Sequence, residues 1–148
     1  MVNEIKFDVR IAPEAVKEYN KLDGSILEVV NKQIDELEYR ADRVGKMLEN
    51  KNNSKLSGCK EIKLKDAGIR IIFRITNLKV EVLQIVYIIA IEKRSKNHVF
   101  NVANQRNKQF RKMKNNALRD YLVKIPEWKK KKKITKKKIK IYNKKDNE

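Results

Sequence analysis

The sequence predicts an α+β fold of order β-α-α-β-β-β-α, with an antiparallel meander sheet packed on a helical hairpin. Three observations predict it. An alternating segment opens the chain, two amphipathic segments follow with almost nothing between them, and three β-like runs separated by tight turns come next. Strands gathered after a pair of helices, instead of alternating singly with them, point to α+β and away from a doubly wound parallel sheet.

Taken in order, Phe7, Val9 and Ile11 alternate with Lys6, Asp8 and Arg10, the period of a strand with one buried face. Pro13 suits a first helical position, where the N–H it lacks would be unpaired anyway. Ala15, Tyr19 and Leu22 then share a face up to Asp23-Gly24. Ser25 with Glu28 three residues on is a capping-box pattern. The stripe that follows (Leu27, Val30, Ile34, Leu37, Ala41, Val44, Leu48) keeps spacings of three and four, so it predicts one amphipathic helix reaching Leu48. So short a turn between the two helices makes them an antiparallel hairpin. Asn50 to Ser54 reads as a polar loop.

From Leu56 the period becomes two. Glu61 to Lys65 alternates, Asp66-Ala67-Gly68 is a tight turn, and Ile69, Ile71, Phe73 and Ile75 alternate with Arg70, Ile72 and Arg74. Thr76 to Lys79 is a second turn candidate. Val80 to Ile91 is nearly all apolar, as in a central strand covered on both faces. Two tight connections in succession imply a meander. Val99, Ala103, Phe110, Met113, Ala117 and Tyr121 share a rough helical stripe that Pro126 ends. The expected organisation is a main domain over 1–106, a C-terminal helix extension over 107–125 and a lysine-rich tail over 126–148. Like charges repel in the tail, so it is expected to hold no fixed structure alone.

The chain carries 37 Lys+Arg against 19 Asp+Glu, a net charge of +18, and its partners should be polyanions. The excess is uneven: residues 107–148 hold 17 of the basic residues and four of the acidic ones. An ordinary domain therefore carries a very basic extension. Cys59 is the one cysteine, so no intrachain disulfide forms, which fits a reducing cytoplasm. The first residues hold no apolar core of a signal peptide, and the longest apolar run, Ile85 to Ile91, is too short to span a bilayer. A soluble cytoplasmic protein without a cofactor or metal is expected.

The informative stretch is Cys59 to Phe100. Lys60, Lys63, Lys65, Arg70 and Arg74 fall on or beside predicted strands, and Arg94 follows the long apolar one. Long cations held together cost free energy unless an anion sits among them. Two readings stand side by side: a solvated sheet face, or a phosphate-binding concavity whose arginine forks match phosphate oxygens. His98, the one histidine, is either an ordinary helix-start residue or a group suited to acid–base work near neutral pH.

Residues 1 to about 106 resemble the RelE/ParE superfamily of type II toxin–antitoxin toxins, and RelE-like mRNA interferases in particular. Arg10-Ile11-Ala12-Pro13-Glu14-Ala15-Val16-Lys17, with Lys21-Leu22-Asp23, is similar to the usual opening. The segment from Cys59 to Arg70, with its Lys63-Leu64 core and Gly68-Ile69-Arg70 ending, matches at the same spacing, and Leu56-Ser57-Gly58 before it also fits. Lys93-Arg94 through Val99-Phe100 resembles the family ending. The resemblance implies a metal-independent endoribonuclease that cuts mRNA on the ribosome, the 2′-OH attacking the adjacent phosphate. By position it gives Lys63 as a catalytic lysine, Arg70 as the arginine stabilising the transition state and Arg94 as a second, orienting arginine. Histidine in some cousins makes His98 a fourth catalytic candidate. Lys60, Lys65, Arg74 and Phe100 are the expected RNA contacts. The chain departs from the pattern at Glu61, where a lysine is usual, and at Phe100, where a tyrosine is usual. Phenylalanine stacks on a base but donates no proton. Glu61 has a plain alternative role, pairing with Lys63 or Arg70.

The resemblance further implies an acidic antitoxin, with mRNA and the ribosome as the other partners and no membrane. Two competing functions keep the same composition: a ParE-like, non-catalytic gyrase poison, and a decayed, non-toxic basic RNA-binding protein.

Overall fold

The computed structural model describes residues 4–51, 54–93 and 96–128. The fold is α+β. Strand β1 (Phe7–Ile11) leads into helices α1 (Pro13–Asn20) and α2 (Gly24–Arg40). Then come short strands β2 (Lys46–Met47), β3 (Asn50–Lys51) and β4 (Ser54–Lys55) and long strands β5 (Cys59–Leu64), β6 (Ile69–Val80) and β7 (Leu83–Glu92). Helices α3 (Lys96–Lys112) and α4 (Asn115–Lys124) follow.

The main sheet has the order β1-β7-β6-β5-β2, and β3 and β4 form a separate two-stranded ribbon. The expected meander is present, with β5, β6 and β7 antiparallel. β1 adds to it in parallel against β7, which makes β7 interior. That position explains the unbroken burial from Ile85 to Ile91.

Directly paired residues share a face of a sheet. One face therefore carries Val9, Ile11, Ile62, Ile71, Phe73, Ile88 and Ile91, all buried against the α1–α2 hairpin. The other face carries Asp8, Arg10, Glu61, Lys63, Arg70, Arg74, Tyr87 and Glu92, partly covered by α3 and α4. Sequence alternation in β1 suggested one buried face, yet all five of its residues are buried. Asp8 and Arg10 satisfy each other beneath the C-terminal segment, with Arg10 Nε donating to Asp8 Oδ1 at 2.8 Å.

Four expectations change. The first turn of α2 is capped by Asp23, whose Oδ1 accepts from Ile26 N at 3.1 Å, and not by the Ser25–Glu28 box. α2 ends at Arg40, eight residues before the stripe does. Ala41 stays buried, but the chain then turns at Gly45 (φ +81°) to pair β2 with β5. A Cβ at Gly45 would stand 3.0 Å from the Glu61 carbonyl oxygen, so this close approach requires glycine. Thr76 to Lys79 continues β6, and the hairpin turns instead at Glu81-Val82.

The last correction concerns the C-terminus. α3 runs through the boundary expected after Arg106, and the helical stripe breaks into two helices at Met113-Lys114. Within the span expected to be the tail from residue 126, Trp128 is buried with 1% of its surface exposed. Its indole packs edge-on against Tyr19 at 5.8 Å between centroids and donates to Asp35 Oδ1 at 2.8 Å. Glu127 bridges to Arg10, so 125–128 forms a strap along the outer edge of β1. The lysine run beyond it lies outside the described residues. No helix among the described residues is long and apolar enough to cross a membrane.

Candidate phosphate-binding site

The strand register sorts the basic residues. Across β5, β6 and β7, Lys63 pairs with Arg70 and Arg70 with Glu92, so these three lie in one row on the α3 side of the sheet. Like charges directly opposite each other are destabilising. The neighbouring row offsets the cost: Arg70 Nη1 donates to Glu61 Oε1 at 2.9 Å, and Glu61 is itself buried. Lys63 is exposed. Lys46 on β2 lies opposite Glu61 and is also exposed. A buried carboxylate is thus set among Lys46, Lys63 and Arg70 at one end of the sheet face.

At the other end, α3 and α4 close the face. Arg74 Nη1 donates to Asn107 Oδ1 at 2.7 Å, and the Arg74 guanidinium lies 4.9 Å from the Phe110 ring centroid. Tyr87 stacks on Phe110 at 4.9 Å and shares a 2.8 Å hydroxyl hydrogen bond with Tyr121. Burial comes first among the causes that push the Tyr87 phenol far above its usual range, so it stays protonated.

Of the expected catalytic residues, the sheet brings Lys63 and Arg70 together. Lys65 is exposed in the turn that joins their strands, where Gly68 N donates to Lys65 O at 3.2 Å. His98 and Phe100 lie in the first turns of α3, just after β7 ends at Glu92, beside Arg70 in the register. Arg94 lies outside the described residues.

Two expected RNA contacts are used elsewhere. Lys60 points to the opposite face, where its ammonium donates to Ala41 O at 3.0 Å, just past α2, and lies 5.9 Å from the Phe73 ring centroid. A cation at a helix C-terminus satisfies an orphan carbonyl and complements the dipole. Arg74 holds α3 onto the sheet. Lys46 was missed because a two-residue strand leaves no periodicity to read. Cys59 is buried, and its burial pushes the thiol up to about 11, so it is no nucleophile at neutral pH.

A second cluster fastens the two helical layers round the edge of β7. β1 stops at Ile11, opposite Ile88, which leaves the β7 backbone beyond it without a strand partner on that side. Ile91 N donates to Glu18 Oε1 at 3.1 Å, and Arg106 Nη1 donates both to Glu18 Oε1 at 2.8 Å and to Ile89 O at 3.0 Å. Burial alone would raise the Glu18 pKa. Hydrogen bonds with Glu92, Arg106 and the Ile91 N–H, together with the Arg106 charge, outweigh it and hold the carboxyl below its usual value.

No family model and no curated protein matches the chain. Solved structures do. An arginine-to-alanine double mutant of the Escherichia coli toxin RelE in the free state superposes with a TM-score of 0.52 at 23% identity, over 70% of this chain and 98% of that one. The isolated E. coli RelE toxin gives 0.47 at 22% identity, over 68% and 98%. The RelBE2 toxin–antitoxin complex of Mycobacterium tuberculosis gives 0.49 at 25% identity, over 61% and 100%. The sheet, the helical hairpin against it and the basic row on its other face are thus built on the fold of the RelE toxins.

Proposed function

We propose that this chain is the toxin of a type II toxin–antitoxin pair and a ribosome-dependent endoribonuclease, in which an RNA 2′-OH attacks the adjacent phosphate. The observation that carries the reading is the Lys63–Arg70 pair on the α3 side of the sheet, at the end that the Arg74–Phe110 packing leaves aside. As the 2′-oxygen closes on phosphorus, negative charge grows on the non-bridging oxygens. Preorganised cations at that place are worth roughly 2–4 kcal/mol per group. Arg70 offers a planar fork that matches those oxygens, and Lys63 a point charge. In this reading Arg94 is the second arginine, His98 protonates the leaving 5′-oxygen, Phe100 stacks on a base and Lys65 contacts the backbone. Lys60 and Arg74 have structural work instead. The basic C-terminal residues add phosphate contacts that carry no sequence information. The partner that silences the protein in the cytoplasm is an acidic antitoxin.

Induced expression in a bacterium tests the reading. The expected result is rapid translation arrest, with primer extension mapping cuts inside translated codons. Arg70→Lys keeps a cation beside Glu61 but loses the fork, and should slow cleavage by about 10²-fold. The Glu61–Arg70 pair favours one rival, a non-catalytic gyrase poison, because it partly neutralises the arginine. Filamentation and a DNA-damage response with intact mRNA would select that rival.

A further inference from the structure

We infer that Glu61 is the general base of this endoribonuclease, an inference that rests on the nuclease reading. Glu61 holds Arg70 through Oε1, while its Oε2 is buried and has no hydrogen-bond partner among the described residues. A buried carboxylate oxygen without a donor is costly to keep, so its persistence calls for a reason. An acceptor waiting beside a phosphate-matching arginine is such a reason, because the 2′-OH that must lose a proton lies next to the phosphate it attacks.

The neighbours leave this task to Glu61. Lys46 from β2, Lys63 from β5 and Arg70 from β6 face it, and ammonium and guanidinium groups donate without accepting. Cys59, on the same strand and face, is a buried thiol. Glu92 in the next row is hydrogen-bonded to Glu18. A phosphate that draws Arg70 toward itself loosens Glu61 at the same moment, so substrate binding and exposure of the base are one event.

The step balances. Glu61 takes the 2′-OH proton, the 2′-oxygen forms its bond to phosphorus, and the bond from phosphorus to the 5′-oxygen breaks. That oxygen leaves with a proton from the His98 imidazolium, and the products are a 2′,3′-cyclic phosphate and a 5′-hydroxyl.

The test uses the full chain and mRNA on bacterial ribosomes with a vacant A site, read by single-turnover cleavage across pH. Glu61→Gln can still accept from Arg70, so it preserves the fold while removing the basic oxygen. Its cleavage rate constant should fall by roughly 10²–10³-fold with little change in RNA affinity. The acidic limb of the pH–rate profile should vanish while the basic limb stays. Glu61→Asp should recover part of the rate. A folded Glu61→Gln protein that cuts at the wild-type rate or faster, with both limbs intact, would make Glu61 a mere counter-ion of Arg70 and overturn the inference while leaving the nuclease reading in place. A wild-type chain that cuts no RNA would overturn both.

Discussion

Arg70 and Arg74 stand one helical-layer contact apart in consequence. Both lie on β6 and both point to the same side of the sheet, four residues apart. Arg74 is capped by Asn107 and Phe110 and binds α3 to the sheet, whereas Arg70 donates to the Glu61 carboxylate and is flanked by an exposed lysine. Side-chain chemistry is therefore identical and environment decides the role. The lesson is that what packs on a strand arginine decides whether it is a structural clasp or a candidate phosphate ligand, and that packing is tertiary.

Substitutions at the two ends sharpen the contrast. The largest loss of stability is expected at the closed end: Phe110→Ala removes the ring that both Tyr87 and Arg74 use and should cost about 3–5 kcal/mol, measured by chemical denaturation. Arg74→Ala should cost about 1–3 kcal/mol, because Asn107 loses a donor, yet leave cleavage within roughly tenfold of wild type once the protein is folded. Arg70→Lys is the mirror image, with cleavage slowed and the melting temperature nearly unchanged. If Arg74→Ala cut as slowly as Arg70→Lys while fully folded, the division between the ends would fail.

Smaller effects probe the parts that hold both ends in place. The Glu18 carboxyl titrates below its usual value when folded, so its stabilising contribution is complete above that usual value and fades as pH falls through the folded one. Glu18→Gln should flatten the acid limb of stability measured by urea denaturation between pH 3 and pH 6, a range of about three units set by ordinary carboxylate titration. Smallest in energy is the Cys59 thiol, whose burial and raised pKa predict alkylation at pH 8, about the ordinary thiol range, only as fast as the protein opens. Rapid labelling of the native protein would show that the closed end is loose.

Much of this was legible in the residues. The alternation from Cys59 to Ile75 and the turn at Gly68 set the β5–β6 register that pairs Lys63 with Arg70. The same parity already separates Lys60 from Lys63, since an odd offset along a strand reverses the face, and that signal was there to be used. The cover over Arg74 was not legible, because it depends on where α3 lands. Nor was the end of α2: Ala41 keeps the helical stripe alive past Arg40, since a turn can bury an apolar side chain as well as a helix can. The parallel seating of β1 against β7 joins segments more than seventy residues apart, a pairing that no local pattern encodes. Trp128 did carry a signal, a large apolar ring standing at the threshold of a lysine run.

The strap that ends in this tryptophan has a consequence for how the molecule meets other chains. β1 is an edge strand, and a bare edge offers free backbone groups to any extended peptide that can add to the sheet. The bridge between Arg10 and Glu127 occupies that template from within, while the opposite margin is only the two residues of β2. Peeling residues 125–128 away would leave the β1 edge open to a foreign strand, with self-association as the visible symptom.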